Sequence, residues 1–394
     1  MIQFIIELAI YLVFALILSY LAKESENEEE YQMGVTASVE SGCHSWNRYL
    51  SMYVAFFTII AAVRWNVGSD SLSYSLIFEN GYVRDSSTEY IFDWLVDVVH
   101  GASFSGAFGL GIMAFIQIFF ITKALQKYKY ILVVLPFVLF GGRYWQDLTG
   151  ACRQMMVAAI FLWSLRFVVD RKPVWYFTTI FASYFIHHSA LLLLPVYFIP
   201  INWRILNKRW LLSCLLIACC VIGLTPQFQG LANYVQSLSS LIGYDSYTER
   251  VTNMMLNSYT EEKLAFGPMM LSYLLIPLAI IWFGPYLEER FSESIPEFYL
   301  WYNIALIYSC LYFLFCNVSH LFIRPLLYLS LEQMVMAALL LRFLIDRYRV
   351  SVRWQMACLL FCAVVVLNTT WEIFKAAGMP YEITTYKTVF FNHQ

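Results

Sequence analysis

Residues 49–70 read YLSMYVAFFTIIAAVRWNVGSD, an apolar run that ends abruptly in an arginine, a glycine and an aspartate. Residues 49–63 carry no charge and suit lipid, whereas Arg64 and Asp70 do not. Charged groups at the end of such a run are costly to keep beside a membrane, and their default reading is a functional site. Gly68 lets the chain turn between the two. If the same layout recurs along the chain, the fold is a bundle of membrane-spanning helices.

It does recur. The 394 residues are 60% hydrophobic, 18% aromatic and only 13% charged, which excludes an ordinary soluble domain. The net charge of −2 argues against a nucleic-acid partner. The first apolar run has no basic leader or small-residue cleavage site before Lys23, so residues 2–22 read as a retained span and not a removed signal. Cys152, Cys214, Cys219, Cys220, Cys310, Cys316, Cys358 and Cys362 lie in or beside apolar runs with no zinc or redox spacing, and read as small buried hydrophobes.

A crossing helix needs about 20 mostly apolar residues. Runs of that kind lie near 2–22, 49–63, 104–122, 130–142, 151–169, 174–187, 189–202, 210–224, 267–284, 298–316, 321–345 and 353–371. The expectation is one all-α polytopic domain over 1–394 with about twelve spans. The runs at 130–142, 174–187 and 189–202 are short enough to be half-helices or re-entrant. Residues 89–100 differ: Glu89, Asp93 and Asp97 recur every fourth position among Tyr90, Ile91, Phe92, Leu95, Val96 and Val99, the pattern of an interfacial helix.

Alternating the spans puts 23–48, 123–130, 166–173, 203–209, 285–297 and 342–353 on one side, with 16 of the 25 basic residues, so that side is read as cytoplasmic. Residues 23–48 then form an acidic cytoplasmic loop, 64–103 an extracytoplasmic loop with the interfacial helix, and 225–266 a large extracytoplasmic loop. Both termini fall outside. The outer side receives Arg64, Asp70, Glu89, Arg143, Asp147, Arg153, His187, His188, His320 and Arg324. Arginine should be depleted there.

Arginine's planar fork suits phosphate and pyrophosphate, and the anion found at that depth is a lipid-linked phosphate. Arg64, Arg143, Arg153 and Arg324 therefore read as its ligands. The alternative is that they snorkel to headgroups or pair with Asp70, Asp147 and Glu332. Arg324, Tyr328 and Glu332 share one helix face, and Glu332, an intramembrane carboxylate, points into the bundle as a functional group or equally as a structural hydrogen-bonding one. Asp70, Glu89 and His187 are candidates for a general base that would deprotonate a hydroxyl nucleophile. A pyrophosphate leaving group needs only electrostatic support. Adjacent helical residues point about 100° apart, so His187–His188 is not read as a metal site, and no metal or cofactor is expected.

These pieces resemble the EpsG-like family of bacterial polysaccharide polymerases, relatives of the Wzy O-antigen and capsule polymerases. The resemblance rests on Arg64-x-x-Val67-Gly68-x-Asp70-x-x-x-Tyr74 and on Glu89 with Phe92 and Leu95. It continues with Arg153–Gln154 and with His187-x-Ser189–Ala190–Leu191 followed by Leu194–Pro195-x-Tyr197. Arg324 with Tyr328 and Gln333, and Tyr386–Lys387–Thr388–Val389–Phe390, complete it. Tyr90 and Cys152 depart from the family pattern, and loop 225–266 has no counterpart.

The resemblance implies a GT-C-like glycosyltransferase in the bacterial inner membrane, acting on its extracytoplasmic side. Donor and acceptor would be undecaprenyl-pyrophosphate-linked oligosaccharides, joined into O-antigen, capsular or exopolysaccharide chains. Membrane lipid and a chain-length regulator are the other implied partners. Arg64, Arg153 and Arg324 would hold pyrophosphate, with Tyr74, Gln154 and Tyr328 at matching positions nearby and Asp70 or His187 as base. A ligase shares this chemistry. A flippase would need several mid-depth charges and an internal repeat, and only Glu332 is of that kind.

Overall fold

The computed structural model describes residues 2–35, 46–65, 67–68, 70–81, 89–229, 267–318, 320–376, 386 and 388. Among them every regular element is helical, and the β-contact between Arg64 and Thr388 is a lone antiparallel bridge. Seven helices are long and apolar enough to cross a membrane. An eighth is added if α6 (Lys129–Gly141) and α7 (Tyr144–Gly150), bent by 76° at their junction, form one broken span. The chain is a multi-pass membrane protein, with fewer long helices than the apolar runs led one to expect.

The difference has a physical cause. Apolar composition reports that a segment avoids water, but a crossing also needs about 30 Å of length. Helices α2 (Arg48–Ala62) and α10 (Arg209–Gly223) are 15 residues each, about 22 Å at 1.5 Å per residue. The runs at 174–187 and 189–202 become α9 (Pro173–Tyr184) and a 3-10 helix (His188–Phe198) that pack against each other as a hairpin. Each arm is shorter than a straight crossing helix, 12 and 11 residues, and their shared tip at His187 reaches the end of the bundle where Glu89 lies. Helix α1 (Ile2–Val35) runs on through the acidic segment, so residues 23–35 are helix and not the start of a loop. Residues 230–266, most of the large loop expected after α10, lie outside the described residues.

Helices α3 (Ser71–Asn80), α4 (Tyr90–Gly101), α5 (Gly106–Leu125) and α8 (Cys152–Val169) follow α2 around one side of the bundle. The amphipathic reading of 89–100 matches α4, which buries Phe92, Leu95, Val96 and Val99 and turns Trp94, Asp97 and His100 outward. Helices α11 (Pro268–Phe291), α12 (Phe298–Phe315), α13 (His320–Leu326), α14 (Ser330–Arg347) and α15 (Val352–Ala376) make the other side. Span 322–347, built from α13, a 3-10 turn and α14, is 83% buried against 28% for 352–370, so it is the axis of the bundle. Large apolar side chains such as Trp210, Phe198 and Leu360 stay exposed on the outside, the surface expected of a lipid-facing bundle.

Two ends of the bundle differ in chemistry. At one, the buried Lys129 reaches Glu29 at 2.8 Å, Tyr128 donates to Glu297 at 2.8 Å, and Arg166, Lys172, Arg204, Lys208 and Arg347 cluster at helix termini. At the other, the C-terminus of α2, the N-termini of α3, α4, α8 and α13 and the tip of the α9 hairpin converge. Asp70, Glu89, Arg153, His187 and Arg324 all lie at this second end.

Candidate functional site

Helix α2 ends at Ala62, and Arg64 folds back over that end. Its guanidinium donates to the carbonyls of Ala61 and Val67, the latter at 3.3 Å, and to Thr149 O at 3.5 Å across the α7–α8 junction. Arg64 is 2% exposed. Tyr386 closes the same corner by donating to Ile60 O at 2.6 Å. Arg64 is therefore a brace between α2 and α7–α8, its donors committed to backbone carbonyls and to Cys152 Sγ at 3.5 Å and not turned toward a ligand. Arg143 is engaged elsewhere: it pairs with Asp147 at 3.2 Å and lies over the Tyr312 ring at 4.4 Å. With Tyr144, Tyr308, Gln333 and Asn368 it lines a separate cavity of 20 Å³. Gln154 is buried on α8, one residue past Arg153 and so on another face.

The remaining site residues meet around Glu89. This carboxylate, 6% exposed at the head of α4, divides its two oxygens. Oε2 takes Arg153 Nη1, while Oε1 lies 3.1 Å from His188 Nδ1 and 3.5 Å from His187 Nδ1. Arg153 donates through Nε to the Tyr74 hydroxyl at 3.1 Å and rests over the Phe92 ring at 4.7 Å. Arg324 comes from the central span to within 3.7 Å of Asp70. Below, the hydroxyls of Tyr328 and Ser189 are 2.6 Å apart, and Ser189 Oγ is 3.1 Å from His187 Nδ1. The ring of charged groups is floored by buried aromatics. It is open on one side, where Asp70, His188 and Arg324 have side chains 38%, 55% and 51% exposed.

The EpsG family model matches residues 47–383, from the cap of α2 to beyond α15. The chain belongs to the EpsG family. This is a family of polysaccharide polymerase-like proteins. No curated protein and no solved structure matches the chain. The match takes in every residue of the Glu89 cluster and leaves out α1, so the charged site lies in the part of the fold that EpsG proteins share.

Within this cluster of the EpsG protein His187 has a job the sequence did not reveal. It sits in extended conformation before the 3-10 helix and caps it, Nδ1 accepting the Ser189 N–H at 3.4 Å. An Nδ1 that accepts leaves the ring proton on Nε2. Burial, then the charges of Arg153, His188 and Arg324, lower its pKa from the ordinary imidazole range to about 3, so it is neutral in the folded protein. Below about pH 6.5 the unfolded chain takes up a proton that the folded chain refuses, and stability falls as pH drops toward 3. His187→Asn, which keeps a capping side chain without a titratable ring, is expected to flatten that loss. Melting temperatures in detergent at pH 4.5 and 7.5 measure it.

Side-chain atoms of Glu89, His187 and His188 fall within 4.8 Å of one another, close enough to raise a divalent cation. The helical-divergence reason for setting the histidine pair aside does not hold, because the chain breaks at His187 and both rings turn to Glu89. The donor set still fits a cation poorly. Arg153 already occupies one oxygen of Glu89, His187 Nδ1 is committed to its cap, and Arg324 adds further positive charge.

Proposed function

We propose that this EpsG protein joins polyprenyl-pyrophosphate-linked oligosaccharide repeat units into a surface polysaccharide by glycosyl transfer. The carrying observation is the convergence of Arg153, Arg324, Asp70 and Glu89 at one end of a lipid-embedded bundle. That end is opposite to the termini rich in lysine and arginine, which the positive-inside rule assigns to the cytoplasm, so the chemistry takes place on the extracytoplasmic face. Arg153, held flat by Tyr74 and Phe92, and the more exposed Arg324 receive the diphosphate and stabilise it as it departs. Asp70 and Tyr328 line the approach of the acceptor sugar.

A place for the lipid supports the same reading. An apolar groove of 580 Å³ begins at Ile91 and Ile186, next to Glu89 and His187. It runs between α8 and α9 past Ile160, Trp163 and Ala182 toward Arg166 and Lys172 at the other end. It leads away from the charged site along α8, where an isoprenoid tail would leave its headgroup. Ala182→Trp fills this groove and is expected to raise the KM for a full-length isoprenoid donor severalfold. A donor with a two-isoprene tail should be used as well as by the wild type, and equal KM values for the long donor would remove the groove from the lipid path.

The function itself is tested by deleting the protein and resolving the surface glycan on a gel. Loss of a polymerase leaves single repeat units outside. Loss of a ligase leaves long chains on the carrier, and loss of a flippase leaves no glycan outside at all. Either of the latter patterns would replace the polymerase reading.

A further inference from the structure

The geometry points to His188, oriented by Glu89, as the group that takes the proton from the acceptor hydroxyl. This rests on the glycosyl-transfer reading above and assigns its base. An ionised carboxylate only accepts hydrogen bonds. Glu89 Oε2 accepts from Arg153, and its Oε1 can accept from the His188 nitrogen 3.1 Å away, which makes that nitrogen the one that carries the proton. That nitrogen is Nδ1, which leaves the Nε2 lone pair free on a ring whose side chain is 55% exposed at the open edge of the site. The arrangement is a carboxylate holding an imidazole in one tautomer and aiming its other nitrogen outward.

The competing bases are placed less well. His187 Nδ1 is occupied by the cap of its own 3-10 helix and by Ser189 Oγ, so its outward nitrogen bears a proton and donates. Glu89 has Arg153 on one oxygen and the two histidines on the other. Asp70 faces Arg324 at 3.7 Å. His188 thus faces Glu89 from α4 at 3.1 Å and the His187 ring, whose centroid is 5.2 Å away, while Arg153 and Arg324 act on the neighbouring His187.

The step balances without a further reactant. The acceptor hydroxyl oxygen forms a bond to the anomeric carbon of the donor sugar. The bond from that carbon to the diphosphate oxygen breaks, and its electron pair leaves with the lipid diphosphate toward Arg153 and Arg324. The hydroxyl proton passes to Nε2 of His188. Glu89 stabilises the imidazolium until water removes the proton.

Chemical rescue tests this in purified full-length protein in lipid nanodiscs, with a polyprenyl-pyrophosphate oligosaccharide as substrate and chain length read on a gel. His188→Ala is expected to lower the rate about a hundredfold, the usual weight of a positioned base, with the KM for the donor within about twofold of wild type. Added imidazole should restore at least tenfold of that loss, in proportion to its concentration. His187→Ala should gain nothing from imidazole, since its defect is the cap. His188→Gln serves if the alanine variant elutes abnormally on size exclusion. A folded His188 variant with more than half of the wild-type rate, or one that imidazole leaves unchanged, overturns the assignment, as does loss of wild-type activity in EDTA that added divalent metal restores. A wild-type protein that never extends the substrate refutes the polymerase reading instead.

Discussion

Arg153→Ala is expected to reduce chain extension by about 10²–10³-fold, the scale for losing one preorganised donor to a developing anion. The guanidinium is positioned by three neighbours at once: Glu89, the Tyr74 hydroxyl at 3.1 Å, and the Phe92 ring beneath it. Little reorganisation is left for the moment of reaction. Part of the loss comes from Glu89, whose nearly buried carboxylate loses its main counter-charge when the arginine goes. Arg153→Lys separates the two contributions. It keeps a positive charge near Glu89 but cannot hold the diphosphate with a planar fork, so it should recover protein yield fully and activity only in part. Arg324→Ala is expected to do less, because Arg324 is half exposed and its 3.7 Å contact with Asp70 is loose. Its effect should fall on the KM for the donor. Chain-length ladders from the three purified variants, compared at equal protein, decide the matter. Wild-type ladders from Arg153→Ala would take the diphosphate away from this cluster.

How far the sequence could be read depends on what each residue's neighbours add. Helix boundaries were legible because an apolar run and its charged ends are local: the runs at 104–122, 151–169 and 298–316 became Gly106–Leu125, Cys152–Val169 and Phe298–Phe315. The number of crossings was not legible, because the arms of the hairpin are as apolar as a span but only 12 and 11 residues long. Among charges, the convergence of Asp70, Glu89, Arg153 and Arg324 followed from their shared place at one set of helix ends. What a guanidinium does once there is a tertiary fact. Arg64 meets three carbonyls, one of them from Thr149 far along the chain. Arg143, by contrast, has Asp147 four residues on, a pairing visible in the sequence. That His187 and His188 both turn to Glu89 is likewise tertiary, since ideal helical geometry sends adjacent side chains apart. The signal that could have found it is the His–x–Ser spacing of a capping turn, which breaks the helix at that point.

Gly68→Ala is expected to cost folded protein outright, at least tenfold in yield from membranes by size exclusion. Gly68 has φ of +96°, beyond the left-handed region that Asn or Asp enters with ease, and a side chain there is strained on backbone grounds alone. Space is also denied. An added Cβ would lie 2.5 Å from the carbonyl carbon and oxygen of Thr149 and 2.7 Å from the amide nitrogen of Gly150, all backbone atoms that cannot rotate aside. Strain and overpacking together come to about 2–6 kcal/mol. The damage would spread from this one atom, because Thr149 also takes a donor of Arg64, which joins α2 to the α7–α8 corner where Arg153 begins its helix. Gly81 is the control. It too has positive φ, +63°, but it closes α3 in the ordinary left-handed region, and the nearest atoms an added Cβ would meet belong to the ring of the exposed His100, a side chain that can move at the cost of its 2.9 Å contact with Glu79 O. Gly81→Asn should therefore accumulate normally and extend chains, while Gly68→Ala should yield at least tenfold less folded protein. Equal yields for the two would mean that the turn between Arg64 and Asp70 gives way without disturbing the helices it joins, and that the site does not depend on it.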